Sequence, residues 1–199
     1  SQKIKNATIA IEDNEFYLHH GIKPTAILRA IISDLTPGSG ATQGGSTITQ
    51  QVIKNSILTQ DKTITRKLKE WILAIKLEKI LTKDQILNTY LNENPYGGSV
   101  YGVEEASKTF FGKSAKDVTL AEAAYISAIP QAPTFYSPYG PNKAKLDNRK
   151  NLVLQQMLNN NFITKDEYNS AVKEDVHFLE KSSTGIRAPH FSLYVKDYL

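Results

Sequence analysis

Along most of this chain apolar residues recur at helical spacing, and short polar boxes mark where helices begin. Thr-x-x-Gln or Thr-x-x-Glu occurs at Thr47/Gln50, Thr82/Gln85, Thr119/Glu122 and Thr164/Glu167. Each predicts a helix start, because the hydroxyl and the later side chain satisfy each other's free N–H groups. Pro24 predicts a first-turn proline opening a helix through Leu35, with Ala26, Ile27, Ala30 and Ile31 on its apolar face. Leu68, Ile72, Ile75 and Lys79 fall at i, i+4, i+7 and i+11, a stripe flanked by cations. A further helix is predicted over about 143–158, with Leu146, Leu152, Val153 and Met157 facing inward, and a core helix with its stop over Ala121 to Pro133. Only Val176 to Leu179 looks extended. The chain is therefore expected to be mainly α. The Gly- and polar-rich runs at 36–45 and 92–99 read as loops.

Composition narrows the class. The chain has 199 residues, ample for one domain and enough for two lobes. Its 40% hydrophobic and 22% charged residues are those of a folded globular protein and exclude disorder. No apolar run approaches the roughly 18 residues needed to span a bilayer. With no cysteine, disulfide scaffolds, thiolate metal sites and a cysteine nucleophile are excluded. The net charge of +4 matters less than its placement. Lys54, Lys62, Arg66, Lys67, Lys69, Lys76, Lys79 and Lys83 lie in one stretch, suited to phosphate or anionic headgroups.

Three segments carry candidate chemistry. Glu12 sits in Ile9-Ala10-Ile11-Glu12-Asp13, where apolar neighbours and an adjacent acid suit a general base. Gly44-Gly45 precede the polar start Ser46-Thr47-Ile48-Thr49-Gln50-Gln51, an anion cradle built from free N–H groups at a positive dipole end. Glu70 lies four residues after Arg66 and three after Lys67, within reach of both. With cations around it, Glu70 is a poor proton donor and better suited to orienting positive charge against a diphosphate. One isolated acid, an anion cradle and an acid among cations suit moving a sugar from a phosphate leaving group to a hydroxyl.

These residues resemble the peptidoglycan glycosyltransferases of family 51, found at the front of class A penicillin-binding proteins and in monofunctional transglycosylases. The motifs stand in the family's order: E-D-x-x-F-x-x-H-x-G at Glu12 to Gly21, G-G-S-T-I-T-Q-Q at Gly44 to Gln51, and R-K-x-x-E at Arg66 to Glu70. Ile86 through Tyr90-Leu91-Asn92 to Tyr101-Gly102-Val103, and Ala121-Glu122-Ala123-Ala124-Tyr125 leading to Pro130-Gln131-Ala132-Pro133, complete the set. Five motifs in register are specific where one is weak. Two positions depart from the pattern: Lys62 stands where relatives often carry Arg, and Asn94 replaces a usually apolar residue.

The resemblance implies a lysozyme-like large lobe with a smaller, mobile, membrane-proximal jaw lobe at roughly 24–62, within a glycosyltransferase domain at 1–181. Residues 182–199 would form a linker toward a transpeptidase domain. It implies polymerisation of lipid II into β-1,4-linked glycan, with inversion and release of undecaprenyl pyrophosphate. Glu12 and Glu70 are the implied catalytic pair. Asp13, Phe16, His19, Gly45, Ser46, Thr47, Gln50, Gln51, Lys54, Asn55, Lys62, Arg66 and Lys67 are the implied substrate-binding residues. No metal ligand is assigned; Mg²⁺ or another divalent cation at the diphosphate is chemically sensible, though no residue set demands it. The implied partners are lipid II, the growing glycan and the cytoplasmic membrane surface, with no nucleic acid. The implied location is the outer face of that membrane, through an N-terminal anchor. Two rivals stand beside this reading: a muramidase that cuts finished peptidoglycan, and a silent scaffold that binds lipid II.

Overall fold

The computed structural model describes residues 1–23, 45–56 and 64–180. The expected helix from Pro24, most of the jaw lobe, Gly44, Lys62 and the linker lie outside the described residues. Helices form α1 (Gln2–Glu12), α2 (Ile48–Ser56), α3 (Ile64–Ile80), α4 (Lys83–Glu93), α5 (Val103–Phe111), α6 (Leu120–Ala128), α7 (Lys143–Asn159) and α8 (Lys165–Lys173). A 3-10 turn at Ile129–Gln131 follows α6. Among the described residues there is no strand, only a lone bridge between Pro95 and Tyr101. The mainly α expectation holds.

The polar boxes do what their chemistry dictates. Thr82, Thr119 and Thr164 each accept the N–H of the third helical residue, whose side chain accepts the Thr N–H in return. At Thr47 the exchange is Gln50 N–H to Thr47 Oγ1 at 3.1 Å and Thr47 N–H to Gln50 Oε1 at 2.8 Å.

The core is centred on α6, every residue of which is buried. A helix apolar all round must be enclosed, and α1, α5, α7 and α8 pack on it. Thr8 of α1 and Ser127 of α6 pair their hydroxyls at 3.2 Å inside this contact, so neither buried oxygen is left unsatisfied. A second group packs α2 against α3 and α4, and Gln51 of α2 reaches Glu12 at the end of α1.

Three sequence expectations are corrected. In α7 the buried positions are Leu146, Lys150, Val153, Leu154 and Met157, while Leu152 faces solvent. Leu152 lies about 100° of helix from Val153, off the i, i+4, i+7, i+8, i+11 stripe. In α3 the apolar stripe points outward, with Leu68 49% and Ile72 55% exposed. Its inward face is Glu70 and Ala74. Val176 to Leu179 is not a strand. It is tied down by the Leu179 N–H donating to Phe110 O at 2.8 Å, and by the Phe178 ring against Phe110, Phe111 and Tyr125.

The loop from Asp13 to Gly21 turns the chain from α1 toward α2 and α3. Phe16 is fully buried within it, with the Lys83 ammonium 4.6 Å from its ring centroid. Gly21 ends the loop at φ +89°, and a Cβ there would lie 2.8 Å from both C and O of Ala74 on α3. Backbone meets backbone, so neither side can yield. Gly21→Ala is expected to cost about 2–4 kcal/mol in urea denaturation. Gly98→Ala, with φ +57° and nothing within 4 Å, should cost only about 1–2 kcal/mol.

Candidate active site

Helix α2 begins where three charged groups of side chains converge. The first is held by Asp13. Its Oδ2 accepts the Ile48 N–H at 3.0 Å and lies 2.8 Å from His19 Nε2, and Lys23 Nζ sits 2.7 Å from Oδ1. Burial pushes this carboxyl up, but the hydrogen bonds from His19, Lys23 and Ile48 win and hold it below its ordinary 3.8. The Gly21 N–H donates to His19 Nδ1 at 3.2 Å, leaving the Nε2–H to donate to Asp13. Thr47 Oγ1 donates to Gly21 O at 2.6 Å, fastening the same loop to the helix start. On the α3 side Glu78 Oε1 accepts Thr49 Oγ1 at 2.6 Å and Lys83 Nζ at 2.7 Å, and lies 4.0 Å from His19 Nδ1.

The second group surrounds Glu12, the last residue of α1. Gln51 Nε2 donates to Glu12 Oε2 at 2.8 Å, and Arg149 of α7 stands 3.6 Å from Glu12 Oε1. Arg149 is fixed by donating Nε to Ala128 O at 2.9 Å and by lying over the Tyr136 ring, 5.5 Å from its centroid. Burial pulls its guanidinium below its ordinary value, and Glu12 partly restores it. Tyr90 and Tyr96 complete the wall. Burial, reinforced by the Glu12 charge, pushes both phenols well up, so both stay neutral hydrogen-bonding groups.

The third group is Glu70, 1% exposed, which accepts a short hydrogen bond from Lys67. Lys67 Nζ also donates to Ser46 Oγ at 3.0 Å. One ammonium therefore links the buried acid of α3 to the residue just ahead of the α2 cap. Among the described residues these two oxygens are its only partners, and an ammonium has three N–H groups to give.

The implied site residues separate by position. Glu12 with Gln51, Asp13 with His19, and Ser46 with Lys67 and Glu70 meet along the segment 46–51. Thr47 and Gln50 are buried and occupied by the cap, so they shape the site from beneath. Phe16 is core. Gly45, Lys54 and Asn55 are exposed, and Arg66 is half-buried. Arg149 was not legible as a site residue, although two cations beside an inward apolar stripe, Arg149 and Lys150, were a usable signal. The Asp13 charge is met by Lys23, and His19 donates a hydrogen bond to it.

A family model described as Transglycosylase matches residues 1–158. The chain belongs to the transglycosylase family. It is 43% identical over 180 residues to "Penicillin-binding protein 1A" of Clostridium botulinum, covering 87% of this chain and 22% of that one. To the Aquifex aeolicus protein of the same name it is 42% identical over 199 residues, covering all of this chain and 27% of the relative. A crystal structure of penicillin-binding protein 1A from Haemophilus influenzae matches at 35% identity and TM-score 0.50, over 59% of this chain and 17% of that one. The chain thus spans about a quarter of the length of these curated relatives.

The Asp13 cluster gives this transglycosylase domain a pH signature. A carboxyl whose folded value is depressed contributes stability above its unfolded value, and that contribution is lost as pH falls through the folded one. Asp13→Asn should therefore cost about 3 kcal/mol at pH 7. The difference from the parent should shrink steadily below about pH 4. Chemical denaturation at pH 7 and pH 3 checks both.

Proposed function

We propose that this domain is a peptidoglycan glycosyltransferase polymerising lipid II into β-1,4-linked glycan. The observation that supports the reading is the arrangement along 46–51: the Glu12 carboxylate held by Gln51 and Arg149 at one end, and the Lys67 ammonium joined to Ser46 and Glu70 at the other. Glu12 takes the proton from the acceptor sugar's 4-hydroxyl while that oxygen attacks the anomeric carbon of the donor. The bond from that carbon to the phosphate oxygen breaks with inversion, and its electron pair leaves on undecaprenyl pyrophosphate. Lys67, oriented by Glu70, meets the growing negative charge together with Ser46 Oγ. Arg149 and Gln51 keep Glu12 fixed, so little reorganisation is needed as the proton moves.

A muramidase would need a neutral carboxylic acid to expel a sugar alcohol. Both carboxylates here face cations, at Lys67 and Arg149, which suits a leaving group that departs without a proton. At Glu70 the Lys67 ammonium already takes Oε1, leaving at most one carboxylate oxygen for a divalent cation. Among the described residues no three His, Cys, Asp or Glu side chains gather to hold one.

We place this work at the outer face of the cytoplasmic membrane. Among the described residues no helix is long and apolar enough to cross a bilayer. The outward face of α3 instead presents Leu68, Ile72 and Ile80 with Lys69, Lys76 and Lys79, while its acids Glu70 and Glu78 are turned inward and paired. Apolar residues ringed by lysines suit the surface of an anionic bilayer.

Two experiments follow. Incubated with lipid II, the parent should yield polymer, and Glu12→Gln should lower the rate by at least about 100-fold; equal polymer from both removes Glu12 from the mechanism. In co-sedimentation the protein should prefer vesicles containing phosphatidylglycerol over neutral ones, and Leu68→Ser with Ile72→Ser should weaken the binding. No preference for anionic lipid counts against the membrane face.

A further inference from the structure

After the 3-10 turn at Ile129–Gln131 the chain folds back on itself through 132–136. The Ala132 N–H donates to Ile129 O at 3.1 Å and the Tyr136 N–H to Ala132 O at 2.9 Å, fixing this turn at both ends. Within it stands Phe135, 46% exposed. Every other phenylalanine among the described residues is buried or half-buried. A single apolar side chain on a surface needs no special account. Phe135 differs in what holds it, because its ring packs at 89° to that of Tyr136 with centroids 5.0 Å apart. The Tyr136 ring in turn carries the Arg149 guanidinium, 5.5 Å from its centroid, and Arg149 stands 3.6 Å from Glu12. We propose that Phe135 is a substrate-binding residue, the stacking platform for a pyranose ring of the acceptor.

Glu12 is approached from two elements, by Gln51 of α2 at Oε2 and by Arg149 of α7 at Oε1. The α2 side leads to Ser46 and Lys67, the proposed seat of the diphosphate. The α7 side leads through Tyr136 to Phe135, so this ring belongs with the sugar whose hydroxyl meets Glu12. The contacts joining Phe135 to Glu12 are few and short, spanning no more than a few sugar rings. A second loop backs the turn: Pro133 O lies 3.3 Å from where a Cβ on Gly97 would stand. The absent side chain at Gly97 lets the two loops touch. Hexosamine rings in β-1,4 linkage carry their polar groups around the edge and present C–H groups on their faces. An aromatic ring, apolar and negative on its own face, suits such a C–H face. Because the turn and Tyr136 already hold the Phe135 ring, little freedom is lost when a sugar settles on it.

The inference rests on the acceptor lying at Glu12, and its first test needs no turnover. Saturation-transfer NMR uses the soluble disaccharide of N-acetylglucosamine and N-acetylmuramic acid. Irradiating aromatic protons of the parent should carry saturation to the C–H protons of the sugar rings. Phe135→Trp should keep the transfer, and Phe135→Leu, apolar but without a ring face, should lose most of it. In polymerisation Phe135→Leu should raise KM for lipid II by about three- to tenfold with kcat unchanged, while Phe135→Trp keeps the parent KM. Transfer absent from the parent, or unmoved by Phe135→Leu, would overturn the platform. So would an unchanged KM or a loss confined to kcat. A parent that makes no polymer yet shows Phe135-dependent transfer would overturn the glycosyltransferase reading while supporting the sugar contact.

Discussion

The Thr47 cap at the start of α2 is the joint on which the site depends. Its hydroxyl donates to the Gly21 carbonyl and accepts the Gln50 N–H, so one oxygen ties the loop after α1 to the first turn of α2. Asp13 repeats the tie from the other direction by accepting the Ile48 N–H. Because Gly21 also lies directly on the α3 backbone, three elements are fixed at one point. Once that point is set, Ser46 and Gln51 stand on either side of the cap. Each then meets its own acid, Glu70 through Lys67 and Glu12 directly.

Charge in this region is arranged in compensated groups. Asp13 is matched by Lys23 and accepts a further hydrogen bond from His19, while Glu78 is matched by Lys83, Glu70 by Lys67, and Glu12 by Arg149. Buried carboxylates survive only when such partners and hydrogen bonds repay their desolvation. The Asp13 and Glu78 groups are closed on themselves and hold the backbone. Among the described residues the Glu70 and Glu12 groups keep something in reserve: Lys67 spends its N–H groups on Ser46 and Glu70 alone, and Glu12 is held by one amide and a more distant guanidinium. Those are the groups a substrate can still engage.

Much of this was legible from local chemistry. The capping boxes at Thr47, Thr82, Thr119 and Thr164 rest on contacts three residues apart, and all four formed. Glu70 with Lys67 is an i, i+3 pair on one helix, visible for the same reason. The orientation of α3 was not legible, because its apolar stripe promised burial while the inward face carries Glu70. A helix whose inward face serves a polar site and whose outward face is apolar reverses the usual pattern. Arg149 was missed because it reaches Glu12 across 137 residues of sequence, and no spacing rule covers that. Leu152 was misplaced because it is apolar and adjoins Val153, although it stands at i+6 from Leu146, outside the stripe through Val153, Leu154 and Met157.

The central claim is that one short segment, from Ser46 to Gln51, parts the incoming hydroxyl from the departing diphosphate. The most direct measurement is a crystal structure of the domain with an uncleavable lipid-linked diphosphate sugar and an acceptor disaccharide. The diphosphate is predicted within about 3 Å of Lys67 Nζ and Ser46 Oγ, and the acceptor 4-hydroxyl at a similar distance from Glu12. A diphosphate seated against Glu12 and Arg149, with the hydroxyl beside Lys67, would contradict it.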